Sequence, residues 1–254
     1  GGIIVVPTVA SNDAPTSRLA IVYTDDHDLK EVRLMPTNPD AVIVDTSIIA
    51  RAPRRFFVAG IGDALSKKFE AEQCFNSGGM NFYKARPAGL AVAIANQCYQ
   101  VIRRDAVASL AAADSKEPDA AFENIVEATI LLSGLGFESG GLSIAHSLTR
   151  GFSALPSLNA SLHGEQVAFG LLAQFCLEQR PTDFMSDMIG FYKQLGLPTS
   201  LTDLGFSGDV AEGIQIIAER SVAEAPYLKQ FVGAVTVETV AAALTKANGL
   251  AEAA

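Results

Sequence analysis

The sequence predicts a short α/β piece followed by a larger all-α bundle, and three observations carry that prediction. Apolar residues change period near residue 45, from short runs and alternation to three- and four-residue spacing. Every strand-like run lies before that point, and strand signals vanish from Thr46 onward. With 49% apolar side chains over 254 residues, the chain also has material for a sizeable core, which excludes disorder.

Residues 3–6 form a β-branched run stopped by Pro7, and residues 19–24, 31–35 and 41–45 read as three further strands. Turn-forming clusters at 11–13, 25–26 and 36–40 separate them. Beyond these, Phe57, Ile61, Leu65 and Phe69 recur every four residues, and Leu90, Ile94, Cys98 and Val101, then Phe122, Ile125, Thr129 and Leu132, continue the helical pattern at spacings of three and four. Later helices are expected over about 165–179, 182–195, 210–222 and 236–248, with stops at Gly196, Pro198 and Gly249. The run 3–6 reads as a strand buried on both faces, which needs neighbours that no preceding residues supply. Together with the opening glycine, this predicts a sequence that begins partway into a larger protein.

Charge and cysteine content narrow the class. A net charge of −9, with no stripe of lysine and arginine, argues against nucleic acid and anionic membrane as partners. Cys74, Cys98 and Cys176 are odd in number and widely spaced, so they predict buried apolar thiols in a reducing cytoplasm. No apolar run reaches the roughly 18 residues of a spanning helix, and a signal peptide is not evident.

Histidine is scarce. His27 sits in an acidic turn and reads as a solvated loop residue without a role. His146 and His163 are 17 positions apart, and Gly151, Pro156 and Asn159 between them break the helix, so the two imidazoles can converge from neighbouring segments. Asp63 lies in the stretch AGIGDAL, on a helix face shared with Lys67 and Glu70. An isolated aspartate with a lysine four residues on is ordinarily a solvated ion pair. Two imidazoles and a carboxylate are equally the donor set of a catalytic zinc site that leaves one position open. The polar stretch PTVASNDAP, residues 7–15, follows a strand end, where α/β sheets hold small ligands, although a capped loop has the same composition. Gly134, Gly136, Gly140 and Gly141 lack a phosphate-loop pattern and read as sites of close helix approach. Phe137 beside them reads either as core or as a shield against water.

Three stretches, PTVASNDAP, AGIGDAL and GFESGGLSIAH with His163-Gly164 beyond it, together resemble the glycerol dehydrogenases, zinc-dependent members of the iron-containing alcohol dehydrogenase superfamily. The resemblance runs over essentially the whole chain. It implies a dehydroquinate synthase-like architecture, of which this chain holds the last strands of a truncated dinucleotide-binding domain, residues 1–50, and a complete helical metal- and substrate-binding domain, residues 51–254. The glycine-rich pyrophosphate turn of the upstream half has no counterpart here. Asp63, His146 and His163 are implied as metal ligands, and Asp13 as a partner of the polyol. Thr8, Ser11, Ser17, Leu19 and Tyr23 are implied to line the NAD site. Iron-dependent relatives carry a further histidine where this chain has Lys67, which favours zinc.

The implied reaction is reversible hydride transfer from glycerol or a related diol to NAD, giving dihydroxyacetone, with the metal acidifying the hydroxyl. A homo-oligomer, commonly an octamer, is also implied. Two alternatives stay open: another metal-dependent alcohol dehydrogenase of the superfamily, and a zinc-binding helical module without turnover.

Overall fold

The computed structural model describes residues 2–24 and 29–250; His27 lies outside the described residues. Four strands come first: β1 (Ile4–Val5), β2 (Leu19–Tyr23), β3 (Leu29–Leu34) and β4 (Ala41–Val42). β1 pairs with β4 in parallel, Ile4 opposite Ala41, while β2 and β3 form an antiparallel ribbon with Leu19 opposite Leu34.

Several predicted strand limits change. The run 3–6 contributes only two residues, because β4 runs alongside for two positions and Pro7 has no N–H to give. Its apolar side chains are not buried on both faces within this chain: Ile3, Ile4 and Val6 are exposed. The ribbon strand β3 begins at Leu29, two residues ahead of the alternation, and β2 stops at Tyr23. The expected strand 41–45 ends at Val42, since Asp45 turns to cap the next helix and accepts from the backbone N–H groups of Ser47 and Ile48.

From Thr46 the described residues are helices and their connections. They comprise α1 (Thr46–Arg51), α2 (Arg54–Asn76), α3 (Gly89–Ser115), α4 (Ala120–Glu127), α5 (Ser133–Gly140), α6 (Ile144–Phe152), α7 (His163–Leu177), α8 (Thr182–Leu195), α9 (Val210–Glu224) and α10 (Val237–Asn248). A wide π-helical turn, Ala128–Leu132, joins α4 to α5. Asp209 and Thr236 cap the starts of α9 and α10 by accepting backbone N–H groups, and the predicted stop Gly196 closes α8 with φ +78°. Helix α7 starts two residues before the predicted limit, at His163 itself.

Helix α2 is the axis of the bundle, packed against α3, α5 and α7, while α6, α7, α9 and α10 form the second half. Phe57, Ile61, Leu65 and Phe69 are all buried, as predicted. The predicted face of α3 holds at Cys98 and Val101, which are buried, but not at its start: Leu90 is 72% exposed, and Ala91 and Ala95 face inward in place of Leu90 and the half-buried Ile94. Alanine wins there because α5 comes close: a Cβ at Gly136 would meet Ala95 at 3.2 Å. The three cysteines are free and buried. By length and composition the helical run Ala120–Gly140 is apolar enough to cross a membrane, unlike the sequence expectation, yet it packs against α2 and α3.

Candidate metal and polyol site

Helix α2 presents Asp63, Lys67 and Glu70 at i, i+4 and i+7 on one face, and all three are buried. That overturns the reading of Asp63 as a solvated carboxylate; its pairing with Lys67 holds, but inside the protein. Glu70 organises the neighbouring helix. Its Oε1 accepts the backbone N–H of Ser143 at 2.9 Å and of His146 at 3.0 Å, and its Oε2 stands 2.5 Å from His146 Nδ1. A carboxylate from α2 thus satisfies the otherwise orphaned donors at the start of α6, where its negative charge is also favoured. Gln174 of α7 takes the N–H of Ala145 at 3.2 Å.

The same carboxylate fixes the His146 ring. With a proton on Nδ1 facing Glu70, the Nε2 lone pair is turned toward Asp63 and Lys67. That lone pair belongs to the neutral ring: burial opposes a second proton, on Nε2, but Glu70 and Asp63 outweigh it and lift the pKa to about 8, above which the neutral form prevails. For Asp63 burial again works against the charge, yet Lys67 and His146 hold its carboxyl well below the usual carboxylate range. Lys67 is pushed up against its own burial by Asp13 and Asp63.

His163 enters from the first position of α7. The approach of α7 to α2 is as close as backbones allow, for a Cβ on Gly164 would collide with the carbonyl oxygen of Ala59. The His163 side chain keeps 44% of its exposure at the rim, 3.8 Å from Asp63 Oδ1. Partial removal from water, joined by the charges of His146 and Lys67, holds its pKa below the ordinary histidine value. Donor atoms of Asp63, His146 and His163 lie within 4.8 Å of one another, and the two rings are 5.3 Å apart. The convergence read from the helix breaks is therefore present.

Asp13 reaches this cluster from the loop after β1. It accepts a hydrogen bond from Ser133 Oγ and lies 3.3 Å from Lys67 Nζ. Burial, with Asp63 nearby, raises its carboxyl pKa against the pull of Lys67. The loop is seated by Thr16, which donates to the carbonyl of Ile130 at 2.8 Å in the π-helical turn, and by Gly60, where a Cβ would collide with the carbonyl of Ala10. Wide turns of this kind often sit beside functional sites. Phe137 is buried with its ring 5.6 Å from Lys67 Nζ, so it is both core and a wall of the cluster.

Thr8, Ser11, Ser17 and Leu19 line a groove of about 310 Å³ on the outer side of the same loop. Tyr23, the fifth residue of that group, is the last of β2. Sequence reasoning gave no role to Glu70, Gln174 or Ser133. Glu70 carried a signal in its i+7 spacing from Asp63, whereas Ser133 is 120 residues from Asp13 and carried none.

Known proteins resemble this chain in sequence and in fold. A sequence profile described as iron-containing alcohol dehydrogenase matches residues 2–53. A glycerol dehydrogenase of Thermotoga maritima is 42% identical over 86% of this chain and 60% of its own length. One from Citrobacter freundii is 38% identical over 98% of this chain and 68% of its own. The crystal structure of a probable glycerol dehydrogenase from Sinorhizobium meliloti 1021 superposes with a TM-score of 0.95 at 41% identity, covering 100% of this chain and 72% of that one. The chain belongs to the iron-containing alcohol dehydrogenase family, and to its glycerol dehydrogenase group. It spans about 60–68% of the length of the two curated relatives.

Proposed function

We propose that the chain carries the metal and polyol site of an NAD-dependent glycerol dehydrogenase, oxidising glycerol or a related vicinal diol to the ketone. The observation that carries this reading is the convergence of Asp63, His146 and His163 in a chain so similar to glycerol dehydrogenases. Those three residues would hold a divalent metal, with zinc favoured by two nitrogen donors, one oxygen donor and an open fourth position. The fit is supported by Asp63 Oδ2, which is buried without a hydrogen-bond partner among the described residues and so has a free lone pair for a cation. It is also supported by the His146 tautomer that Glu70 imposes.

When bound, the metal supplies Lewis acidity that makes a substrate hydroxyl easier to deprotonate, and NAD accepts the hydride. The residues of the chain do the rest. Asp13, held by Ser133 at the edge of the cluster, accepts a hydrogen bond from a polyol hydroxyl and fixes which carbon faces the cofactor. Thr8, Ser11, Ser17 and Leu19 offer hydroxyls and apolar surface along the adjoining groove, and with Tyr23 form this chain's share of the cofactor site. Phe137 keeps water from the inner side. In this reading residues 1–50 are the end of a dinucleotide-binding domain, residues 51–254 are the helical domain, and the protein is a cytoplasmic homo-oligomer, an octamer by family resemblance.

The test is NADH formation from glycerol by the zinc-supplied chain, with His163→Ala as control. Turnover that disappears in the control supports the reading. Zinc bound at one per chain with no NAD binding and no turnover would restrict this chain to a metal-binding module.

A further inference from the structure

The cluster already contains a cation. Lys67 Nζ is 2.6 Å from Asp63 Oδ1, 3.0 Å from His146 Nε2 and 3.3 Å from Asp13 Oδ2. An ammonium has three N–H donors, and here three acceptors surround it. Its side chain is 1% exposed, so the charge has no position in water to which it withdraws without a change in the surrounding packing.

We propose that Lys67 is a tethered competitor for the metal, occupying its place between Asp63 and His146 and weakening the affinity of this chain for divalent cations. This inference rests on reading the cluster as a metal centre. The argument is one of valence. A neutral imidazole has a single ring nitrogen lone pair; with Nδ1–H directed at Glu70, that lone pair is on Nε2 and is engaged by Lys67. A metal ligated by His146 takes the same lone pair, so the Lys67 hydrogen bond must break first. Asp13 Oδ2 is the acceptor left to the displaced ammonium. Even there the ammonium is close to the incoming divalent charge in a site shielded from water, where like charges repel strongly. The ammonium has the converse effect on the metal-free protein. It compensates Asp13 and Asp63, two buried carboxylates that would otherwise face each other.

The experiment compares zinc affinity of the intact chain and of Lys67→Met by competition with a chromophoric chelator, after metal removal and at fixed pH. Lys67→Gln is carried alongside, and folding of each variant is verified by circular dichroism. We expect zinc to bind about tenfold or more tightly in Lys67→Met, and in Lys67→Gln if the first variant fails to fold. We also expect chelator to lower the melting temperature of the variant while leaving that of the parent chain nearly unchanged. Adding His163→Ala to either background should weaken zinc binding. Equal or weaker zinc binding in folded Lys67 variants would overturn the competitor role while leaving the metal centre standing. Zinc binding in neither protein would overturn both.

Discussion

The strand segment and the helical bundle treat apolar residues in opposite ways. In the bundle, Phe69 on α2 meets the rings of Tyr99, Phe175 and Phe184, and the periodic residues of α2, Phe57, Ile61, Leu65 and Phe69, are almost completely enclosed. In the strand segment Ile4 is 63% exposed and Ile43 55%, although their β-branched runs carry an equally strong apolar signal. Helical period reports which face meets other helices, and those helices lie in the same chain. A β-branched run reports only that the residue suits a sheet; burial depends on neighbouring strands and on cover, and here β1 and β4 pair over two residues.

This contrast can be broken most severely from the bundle side. Phe69→Ala should cost about 3–5 kcal/mol in urea denaturation, since it empties a site bounded by three aromatic rings. A loss below about 1 kcal/mol would mean the bundle is no better packed than the strands. The join between the regions comes next. Glu138 of α5 is buried and accepts from the Arg18 backbone N–H, the Asn38 side chain at 2.5 Å and the Tyr83 hydroxyl at 2.8 Å. Glu138→Ala removes the acceptor shared by these three donors, leaving the Arg18 N–H without it and Asn38 and Tyr83 with only their weaker partners, and should cost about 1–3 kcal/mol. Amide exchange should accelerate in residues 18–23 and 29–38 while α7 stays protected, and uniform acceleration would show that the segment and the bundle open together.

A smaller effect belongs to the surface of the bundle. Asp203 accepts from the N–H and hydroxyl of Thr199, at 2.9 and 3.0 Å. Slight burial opposes its charge, but these bonds and those with Ser200 hold its carboxyl below the ordinary 3.8. Its folded pKa is depressed, so the stabilisation is complete above the unfolded value and is lost as pH falls through the folded one. Asp203→Asn should lower the melting temperature by about 1–2 °C near neutrality, and the difference should close below about pH 3. A gap that widens in acid would contradict the assignment. Ile4→Thr should change stability least, by about 0.5 kcal/mol or less, as expected of an exposed site. A large loss would show that this face is covered in solution.

The sequence was most legible where chemistry and helix geometry coincide. Pro156 and Asn159 fall in the break after α6 that lets His146 and His163 face each other, whereas Gly151, also read as a breaker, lies inside α6; helical spacing alone put Lys67 beside Asp63. It was least legible where long-range packing decides. Ser133 meets Asp13 only because a π-helical turn and the Thr16 contact bring distant segments together. Leu90 was misplaced because a leucine period outranks alanine on any hydrophobic scale, while the close contact with Gly136 selects alanine. Within this chain residues 3–6 lack the cover that their apolar run calls for, because pairing partners are not written in the run that needs them.

Glu70 couples two quantities usually considered apart, the start of a helix and the readiness of a ring. One carboxylate oxygen closes the first turn of α6 and the other sets the His146 tautomer. Any event that draws on the lone pair at Nε2 strengthens the Nδ1–H donor, and with it the bond that anchors the helix. On the proposed reading of the cluster as a metal centre, occupancy of the site would therefore be communicated to the backbone. The amides of Ser143 and His146 become reporters whose exchange rates register, from within the fold, what the imidazole holds.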